Sequence, residues 1–316
     1  MDANVETPRS LLPTILLTIF GSTIAGFLWI GRPGLAAFFF LATLSLGAAW
    51  AWYGFPAFAA GEWRPELIAR LVMTVVSIGL VLVFRQPSRP RRWHSHWYFA
   101  LLIGLAISGG VAVTIRSLLV QPFSSPSNSM APTLVAGDRF FASKWAYGYS
   151  KVSFPLSLIT FEGRRFSSLP QRGDVAVFRG DEADFVKRIV GLPGERIQLA
   201  GGVVLIDGHA AKQVEIGPAA PELGAEGAKI VRETLPNGVS YETLDTEPDS
   251  ALDNTKEFLV PEGRYFVLGD NRDNSNDSRL DLGFVPFENL IGRAERIFWN
   301  SEGVSYADRQ AVRPNL

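Results

Sequence analysis

The sequence predicts an N-terminal transmembrane region of four α-helices followed by a mainly β domain. One observation is the uneven distribution of charge. Charged residues make up 19% of the chain, yet Arg32 is the only charged side chain between Leu11 and Gly61. The other observation is a change of pattern after Arg116, where short β-type runs are separated by Gly, Pro and Asp. We therefore expect a membrane anchor over residues 1–116 and a β-rich domain over residues 117–316.

Four apolar stretches are long enough to cross a bilayer, which takes about 20 helical residues. Buried helices of a large soluble core are the alternative interpretation. Uncharged runs of about 18 residues or more favour membrane helices over that alternative. The predicted spans cover residues 11–30, 34–53, 67–84 and 97–115.

The connector before the fourth span sets the predicted orientation. It carries Arg85, Arg89, Arg91 and Arg92, and basic connectors stay in the cytoplasm. The fourth span then leads outward, so the chain after Arg116 is expected on the outer face of the cytoplasmic membrane. Counting back through four crossings places the N-terminus outside as well.

Within the second domain, short β-type runs bounded by Gly, Pro and Asp predict strands at 174–179, 185–190 and 264–268. Residues 195–199 and 203–206 flank a Gly-Gly turn and predict a β-hairpin. The segment at about 214–257 is acidic, rich in Gly and Pro, and weakly periodic. We interpret it as a variable insertion on the β core.

Composition narrows the possible chemistry. The formal net charge is −1 with no strongly basic face, which argues against a nucleic-acid partner. Cysteine is absent, so disulfides and thiolate nucleophiles are excluded. Only His209 among the three histidines follows Arg116, which leaves few partners for a Ser-His-Asp triad and too few ligands for zinc. A serine nucleophile with a lysine base remains open.

The segment PSNSM at 126–130 places Ser127 and Ser129 in a proline-framed loop. Such a loop can present a hydroxyl group to a substrate. Ser- and Pro-rich loops are also common as plain linkers, and the segment alone does not separate the two readings.

Lys187 lies in the predicted strand FVKRIV, on the same face as Phe185 and Ile189. A lysine among apolar side chains loses solvation, its pKa falls, and its neutral amine can then accept a proton. A lysine on an exposed edge strand is the alternative.

The polar segment at 269–279 follows a predicted strand and could be a hydrogen-bonded loop or a solvated one. Asp273, Ser275 and Asp277 alternate as calcium-loop ligands would. Two arginines in the segment argue against a calcium site, as does Leu280 at the twelfth position, where such loops have a glutamate.

Taken in order along the chain, these segments resemble the motifs of bacterial signal peptidase I, a membrane-bound Ser-Lys endopeptidase. The resemblance runs from about residue 115 to residue 299, except in the variable insertion. The matching segments are IRSLLVQPF at 115–123, residues 126–138, RGDVAVF at 172–178, residues 185–195, residues 269–279 and GFVP at 283–286.

The resemblance implies a role for each matching residue. Ser129 would be the nucleophile and Lys187 the general base, and the Ser127 hydroxyl would form the oxyanion hole with the Ser129 backbone N–H. Four residues would support the dyad, Ser275 by orienting the lysine and the rest by holding the loop: Ser275, Asp277, Arg279 and Asp270. Four others would line small apolar substrate pockets: Met130, Leu134, Val186 and Phe123.

The resemblance also implies a mainly β fold of the signal peptidase I and LexA-like type. Its substrates would be exported preproteins with small residues at positions −1 and −3, cleaved without a cofactor or metal. Membrane lipid and the secretion machinery are the other expected partners. A specialised Ser-Lys peptidase with a narrow client and an inactive signal-sequence-binding relative are the alternatives.

One motif residue departs from the family pattern. Asn128 lies between the two serines, where the family most often has glycine. If that position needs a positive φ, asparagine is among the best substitutes for glycine.

Overall fold

The computed structural model describes residues 10–20, 22–53, 65–85, 96–154, 162–181, 183–223, 225, 227–247, 249–305, 309 and 312. The chain divides into two compact units, Met1–Thr114 and Ile115–Leu316. Each unit is described by itself below.

The first unit is helical. Its helices are α1 (Leu11–Phe20), α2 (Ser22–Trp29), α3 (Pro33–Tyr53), α4 (Pro65–Val83) and α5 (Trp97–Thr114). Among the described residues, one helix has the length and apolar composition needed to cross a membrane: Trp97–Leu119, with a mean hydropathy of 2.1. It includes the π-helical turn Ile115–Leu119 that follows α5. The prediction of four membrane helices is therefore not confirmed.

The first apolar stretch is not the single helix that the sequence analysis expected. Ser22 has a φ of 83°, and α1 and α2 pack against each other. The Trp29 indole donates a hydrogen bond to Thr14 Oγ1 at 3.0 Å. In one straight helix these residues would be about 22 Å apart, so the chain must reverse between them. The predicted outside position of the N-terminus required four membrane crossings. The first apolar stretch is not one continuous helix that could make such a crossing.

The basic connector on which the predicted orientation depends is described only as far as Arg85. Arg89, Arg91 and Arg92 lie outside the described residues.

The described residues of the second unit form fourteen strands. The first seven are β1 (Val120–Ser124), β2 (Asp138–Ser143), β3 (Val175–Arg179), β4 (Asp184–Gly191), β5 (Arg196–Ala200), β6 (Val203–Ile206) and β7 (His209–Ala210). The others are β8 (Lys212–Pro218), β9 (Lys229–Thr234), β10 (Ser240–Asp245), β11 (Phe258–Leu259), β12 (Arg264–Leu268), β13 (Val285–Pro286) and β14 (Leu290–Asn300). All five strands predicted from the sequence are present.

The strands form three antiparallel sheets. The largest has the order β1-β2-β14-β3-β4-β12-β13, and the smaller ones have the orders β10-β9-β8 and β11-β5-β6-β7. Strand β4 lies between β3 and β12, with Lys187 opposite Ala176 of β3. Lys187 is therefore on an interior strand, and the edge-strand alternative is wrong.

The variable insertion contains most of the sheet β8–β10 and packs into the body of the domain. Tyr241 and Val239 share a buried cluster with Val190 and Phe266 of the central strands. Strand β10 also contacts the polar loop at 269–279: the Leu244 amide donates to the Asp270 carbonyl at 2.8 Å. The insertion is thus part of the domain core and of the support for that loop.

Candidate active site

The candidate nucleophile and base are in contact. Ser129 lies in the loop between β1 and β2, and Lys187 lies on β4, yet Lys187 Nζ is 2.6 Å from Ser129 Oγ. Ser127 Oγ donates to Ser129 Oγ at 3.3 Å. The structure therefore brings together the three side chains that the sequence analysis placed at the centre of the site.

Lys187 is buried, with 4% of its surface exposed. Burial lowers its pKa to about 8, and the carboxylates of Asp277 and Asp270 act in the opposite direction. The amine would thus be half neutral near pH 8, where an ordinary lysine would be almost fully protonated. A neutral amine at hydrogen-bond distance can remove the proton of a serine hydroxyl.

Neither nearby carboxylate is paired with the lysine, because each binds an arginine. Asp270 accepts hydrogen bonds from Arg188 Nε at 2.7 Å and Nη2 at 2.5 Å. Asp277 accepts from Arg279 Nε and Nη2, both at 2.9 Å. Both pairs are almost completely buried. Each carboxylate is thus bonded to an arginine and not to Lys187. Burial is the largest influence on the pKa of Lys187.

The polar loop at 269–279 passes very close to the nucleophile. A Cβ on Gly269 would lie 2.2 Å from Ser275 Oγ and 2.5 Å from the Ser129 carbonyl oxygen, so only glycine fits. The Gly269 amide donates to Asp277 Oδ2 at 3.0 Å, and the Asn271 amide donates to the Ser129 carbonyl at 3.1 Å. These bonds connect the loop to itself and to the nucleophile segment.

The dyad lies at one wall of an open cleft of about 810 Å³. Its apolar walls come from β1, β2, β3 and β4, beginning next to Ser129. The lining residues also include charged side chains, among them Arg116, Arg139 and Asp184. The apolar lining includes Phe123, Phe140, Val177 and Val186. A concave site that contains a serine hydroxyl beside a lysine of lowered pKa is a usual setting for catalysis.

Several known proteins are similar in sequence to this chain. The family model described as "Signal peptidase, peptidase S26" matches residues 95–299. The signal peptidase I of Rickettsia typhi is 43% identical over 219 residues, which cover 65% of this chain and 81% of the relative. That of Rickettsia canadensis is 42% identical over 217 residues, with the same coverage. A crystal structure of an Enterococcus faecalis signal peptidase I is 29% identical and covers 40% of this chain and 97% of that one, with a TM-score of 0.26.

This chain belongs to the signal peptidase I family. It is therefore a serine endopeptidase, and its second unit is the mainly β catalytic domain of that family.

Two residues expected to line a substrate pocket of this signal peptidase domain do not reach the cleft. Met130 and Leu134 are both fully buried. They flank the turn after the nucleophile and pack into a core cluster with Phe140, Val175 and Val177. Met130 and Leu134 belong to the same core cluster as Phe140 and Val177 of the cleft wall. Phe123 and Val186 line the cleft.

Phe140 and Val177 are wall residues that the sequence did not predict. Val177 lies on a predicted strand, whereas no strand was predicted over Phe140. The sequence pattern does not show which strands border the cleft, because that depends on how the strands pair.

Ser275 lies at the site without making the contact expected of it. Its side chain is buried beside Gly269, but Ser275 Oγ has no hydrogen-bond partner among the described residues. The described residues therefore show no hydrogen bond by which Ser275 Oγ would orient Lys187 in the way that the resemblance predicted.

The polar loop uses its acidic side chains within the protein. Asp273 accepts hydrogen bonds from the amides of Thr246 and Glu247, at 2.8 and 3.1 Å, while Asp277 binds Arg279. Among the described residues, no group of three or more His, Asp or Glu side chains is placed to hold a metal ion.

Proposed function

We propose that this chain is a membrane-bound endopeptidase that removes N-terminal signal peptides from exported preproteins through a Ser129–Lys187 dyad. The observation that carries the proposal is the 2.6 Å contact between Lys187 Nζ and Ser129 Oγ beside an open apolar cleft. Membership of the signal peptidase I family supplies the reaction class.

In the proposed mechanism, neutral Lys187 takes the hydroxyl proton as Ser129 attacks the scissile carbonyl carbon. The Ser127 hydroxyl and the Ser129 backbone N–H stabilise the oxyanion of the tetrahedral intermediate. The protonated lysine then gives its proton to the leaving amine, which is the new N-terminus of the mature protein. An acyl-enzyme on Ser129 remains, and Lys187 activates the water that hydrolyses it.

The apolar cleft walls support a preference for small side chains in the substrate. Phe123 and Val186 lie within reach of an extended peptide whose scissile bond is at Ser129. We propose that this region selects small residues at positions −1 and −3 of the preprotein. Larger side chains would meet the ring of Phe123 or the branched side chain of Val186.

The proposed site of action is the outer face of the bacterial cytoplasmic membrane, with a multi-pass anchor. The helix Trp97–Leu119 supports a membrane anchor directly before the catalytic domain. The placement of that domain outside follows from the basic connector and this one helix. It does not depend on whether the first apolar stretch crosses. Membrane lipid and the secretion machinery are the proposed partners besides the preprotein.

The test of the mechanism is cleavage of a purified preprotein with small residues at −3 and −1. We expect the parent chain to release the mature protein, and Ser129→Ala and Lys187→Ala to lose that activity. Ser168→Ala and Lys212→Ala are matched controls at exposed positions and should cleave normally. Retained cleavage by either dyad variant would contradict the mechanism.

Topology can be tested separately, since the natural chain has no cysteine and a single introduced one is labelled without background. We expect Ser168→Cys to react with an impermeant maleimide in intact spheroplasts, and Ser88→Cys to react only after lysis. The reverse pattern would overturn the orientation.

A further inference from the structure

Asn128 separates the two serines of the proposed oxyanion hole, and its side chain makes a bond that glycine could not make. Asn128 Oδ1 accepts a hydrogen bond from the Ala136 amide at 2.7 Å. The backbone of Asn128 is not in the left-handed region. The tolerance of asparagine for positive φ, the reason offered in the sequence analysis, therefore does not explain this residue.

The amide that Asn128 binds belongs to a rigid turn. Asp138 is fully buried, and its carboxylate accepts hydrogen bonds from the Val135 amide and from Asn300 Nδ2, both at 2.8 Å. Asn300 Nδ2 also donates to the Ala136 carbonyl at 3.1 Å. The turn is thus fixed through buried groups, and Asn128 is attached to a part of the fold that does not move easily.

The backbone of Asn128 is held from a second direction. Its carbonyl accepts hydrogen bonds from the Ala131 amide at 3.0 Å and from Asn271 Nδ2 at 3.1 Å. The Asn271 amide donates to the Ser129 carbonyl at 3.1 Å. The side chain ties the segment to the turn before β2, while the carbonyl ties it to the loop at 269–279.

We propose that Asn128 is a positioning residue for the oxyanion hole, and that its side-chain bond to the Ala136 amide fixes the relative placement of Ser127 and Ser129. This inference rests on the proposed Ser-Lys function. Asn128 is the one residue between Ser127 and Ser129, and its side-chain bond adds to the backbone bonds that hold the same segment. Anchoring that one residue restricts both groups at once. In this chain the Asn128 side chain restrains the segment through a hydrogen bond. A loop with glycine at this position would need other contacts to restrain it.

Loss of the amide group should reduce transition-state stabilisation more than substrate binding. Asn128→Ala keeps the Cβ and removes the acceptor, leaving the Ala136 N–H without its partner. Misplacement of catalytic groups by about 1 Å is enough to lower rates by up to about a hundredfold. We expect Asn128→Ala to lower kcat by about tenfold with KM within about twofold of the parent chain. Asn128→Gly should lose at least as much, because glycine also adds backbone freedom.

The experiment measures kcat, KM and the pH dependence of cleavage of one preprotein by the full-length chain and its variants. The apparent pKa of the reaction should not change in Asn128→Ala, since Lys187 keeps its surroundings. Asn237→Ala is the matched control. Asn237 also uses its side-chain amide to bond to backbone, donating to the Arg172 carbonyl at 3.0 Å, but it lies in an exposed turn outside the cleft. Its loss should lower the melting temperature by a similar amount and leave kcat unchanged.

A kcat within twofold of the parent in Asn128→Ala or Asn128→Gly would overturn the inference, as would a loss expressed only in KM. An equal loss of kcat in Asn237→Ala would show a general effect on folding, which also overturns it. Failure of the proposed function gives a different result, because the parent chain itself would then not cleave the preprotein or would cleave it without Ser129.

Discussion

The two faces of strand β4 bear adjacent basic residues that are buried to a similar extent and have opposite electrostatic surroundings. Lys187 is 4% exposed and Arg188 is 1% exposed. Burial acts to lower the pKa of both residues. For Lys187 it prevails, and the pKa falls to about 8. For Arg188 the carboxylate of Asp270, together with Tyr241, outweighs burial, and the pKa is raised.

The difference shows that burial alone does not decide whether a basic group keeps its proton. Arg188 has a bidentate carboxylate at 2.5–2.7 Å and the ring of Tyr241 under its guanidinium group at 3.9 Å. Lys187 has a serine hydroxyl and no bonded carboxylate. One face of the strand therefore carries a permanent structural charge, and the other carries a group able to exchange a proton near neutral pH.

The largest expected effect comes from removing the exchangeable proton. Lys187→Met should lower kcat/KM by about a thousandfold or more, because Lys187 is the base in contact with Ser129 in the described part of the chain. It should also stabilise the fold. The parent lysine must be held in the folded state with a pKa below its unfolded value of 10.5, which costs about 3 kcal/mol at pH 7.

That cost is present in full below about pH 8 and disappears as the pH rises to about 10.5. Urea unfolding at pH 7 and pH 10 should show most of the gain at the lower pH. Lys212→Met, at an exposed position, should show no pH-dependent gain. A destabilised Lys187→Met at pH 7 would argue that the lysine is held by favourable charge interactions.

On the other face, loss of the carboxylate should destabilise the domain. Asp270→Asn leaves Arg188 as a buried charge without its counter-ion, and breaking a buried pair in this way costs about 3–5 kcal/mol. Chemical unfolding of the detergent-solubilised chain would measure the loss, with Asp181→Asn at the exposed surface as control. A loss below about 1 kcal/mol would mean that Arg188 finds another partner or reaches water.

Removal of the aromatic ring under Arg188 should have a smaller effect. Tyr241→Leu keeps much of the buried volume but removes the cation–π contact, worth about 2 kcal/mol when desolvated. It also removes the hydroxyl that donates to Glu233 at 2.6 Å. Tyr241→Phe separates these two contributions, since it keeps the ring, and it should lose less stability than Tyr241→Leu. Equal losses in the two variants would assign the whole effect to the hydroxyl.

The smallest expected effect is at an ion pair on the surface of the same insertion. Arg232 and Glu242 form a 3.0 Å pair with side chains that are 52% and 39% exposed. Arg232→Ala should cost less than about 1 kcal/mol, and less still at high salt. A loss as large as that of Asp270→Asn would undermine the contrast between buried and exposed pairs.

How much of this the sequence could predict depends on the range of the interaction. The composition of a short run and the alternation of side chains between the faces of a strand are local, so they predicted strand β4 and placed Lys187 among apolar neighbours. The motif order identified Ser129 as its partner, and the structure brings the two into contact. Local pattern does not show which distant segment pairs with which. Arg188 and Asp270 are 82 residues apart, and nothing in either segment names the other.

The same limit explains the errors. The first apolar stretch has the composition of one span, but a reversal after α1 breaks it into two helices, and composition does not report a positive φ at Ser22. Met130 and Leu134 follow the nucleophile closely in sequence, yet their side chains turn into the core. The insertion at 214–257 lacks clear periodicity because much of its strand β8 is exposed, while Glu233 and Tyr241 are buried against the polar loop.

The central claim is that Lys187 acts as a general base because burial lowers its pKa to about 8, so that a fraction of the amine is neutral near physiological pH. The most direct test is the pH dependence of kcat/KM for preprotein cleavage by the parent chain. The lowered pKa predicts that activity rises with pH through a midpoint of about 8 and then levels off. A midpoint near the ordinary lysine value of about 10.4, or no ionisation between about pH 6 and pH 10, would contradict it.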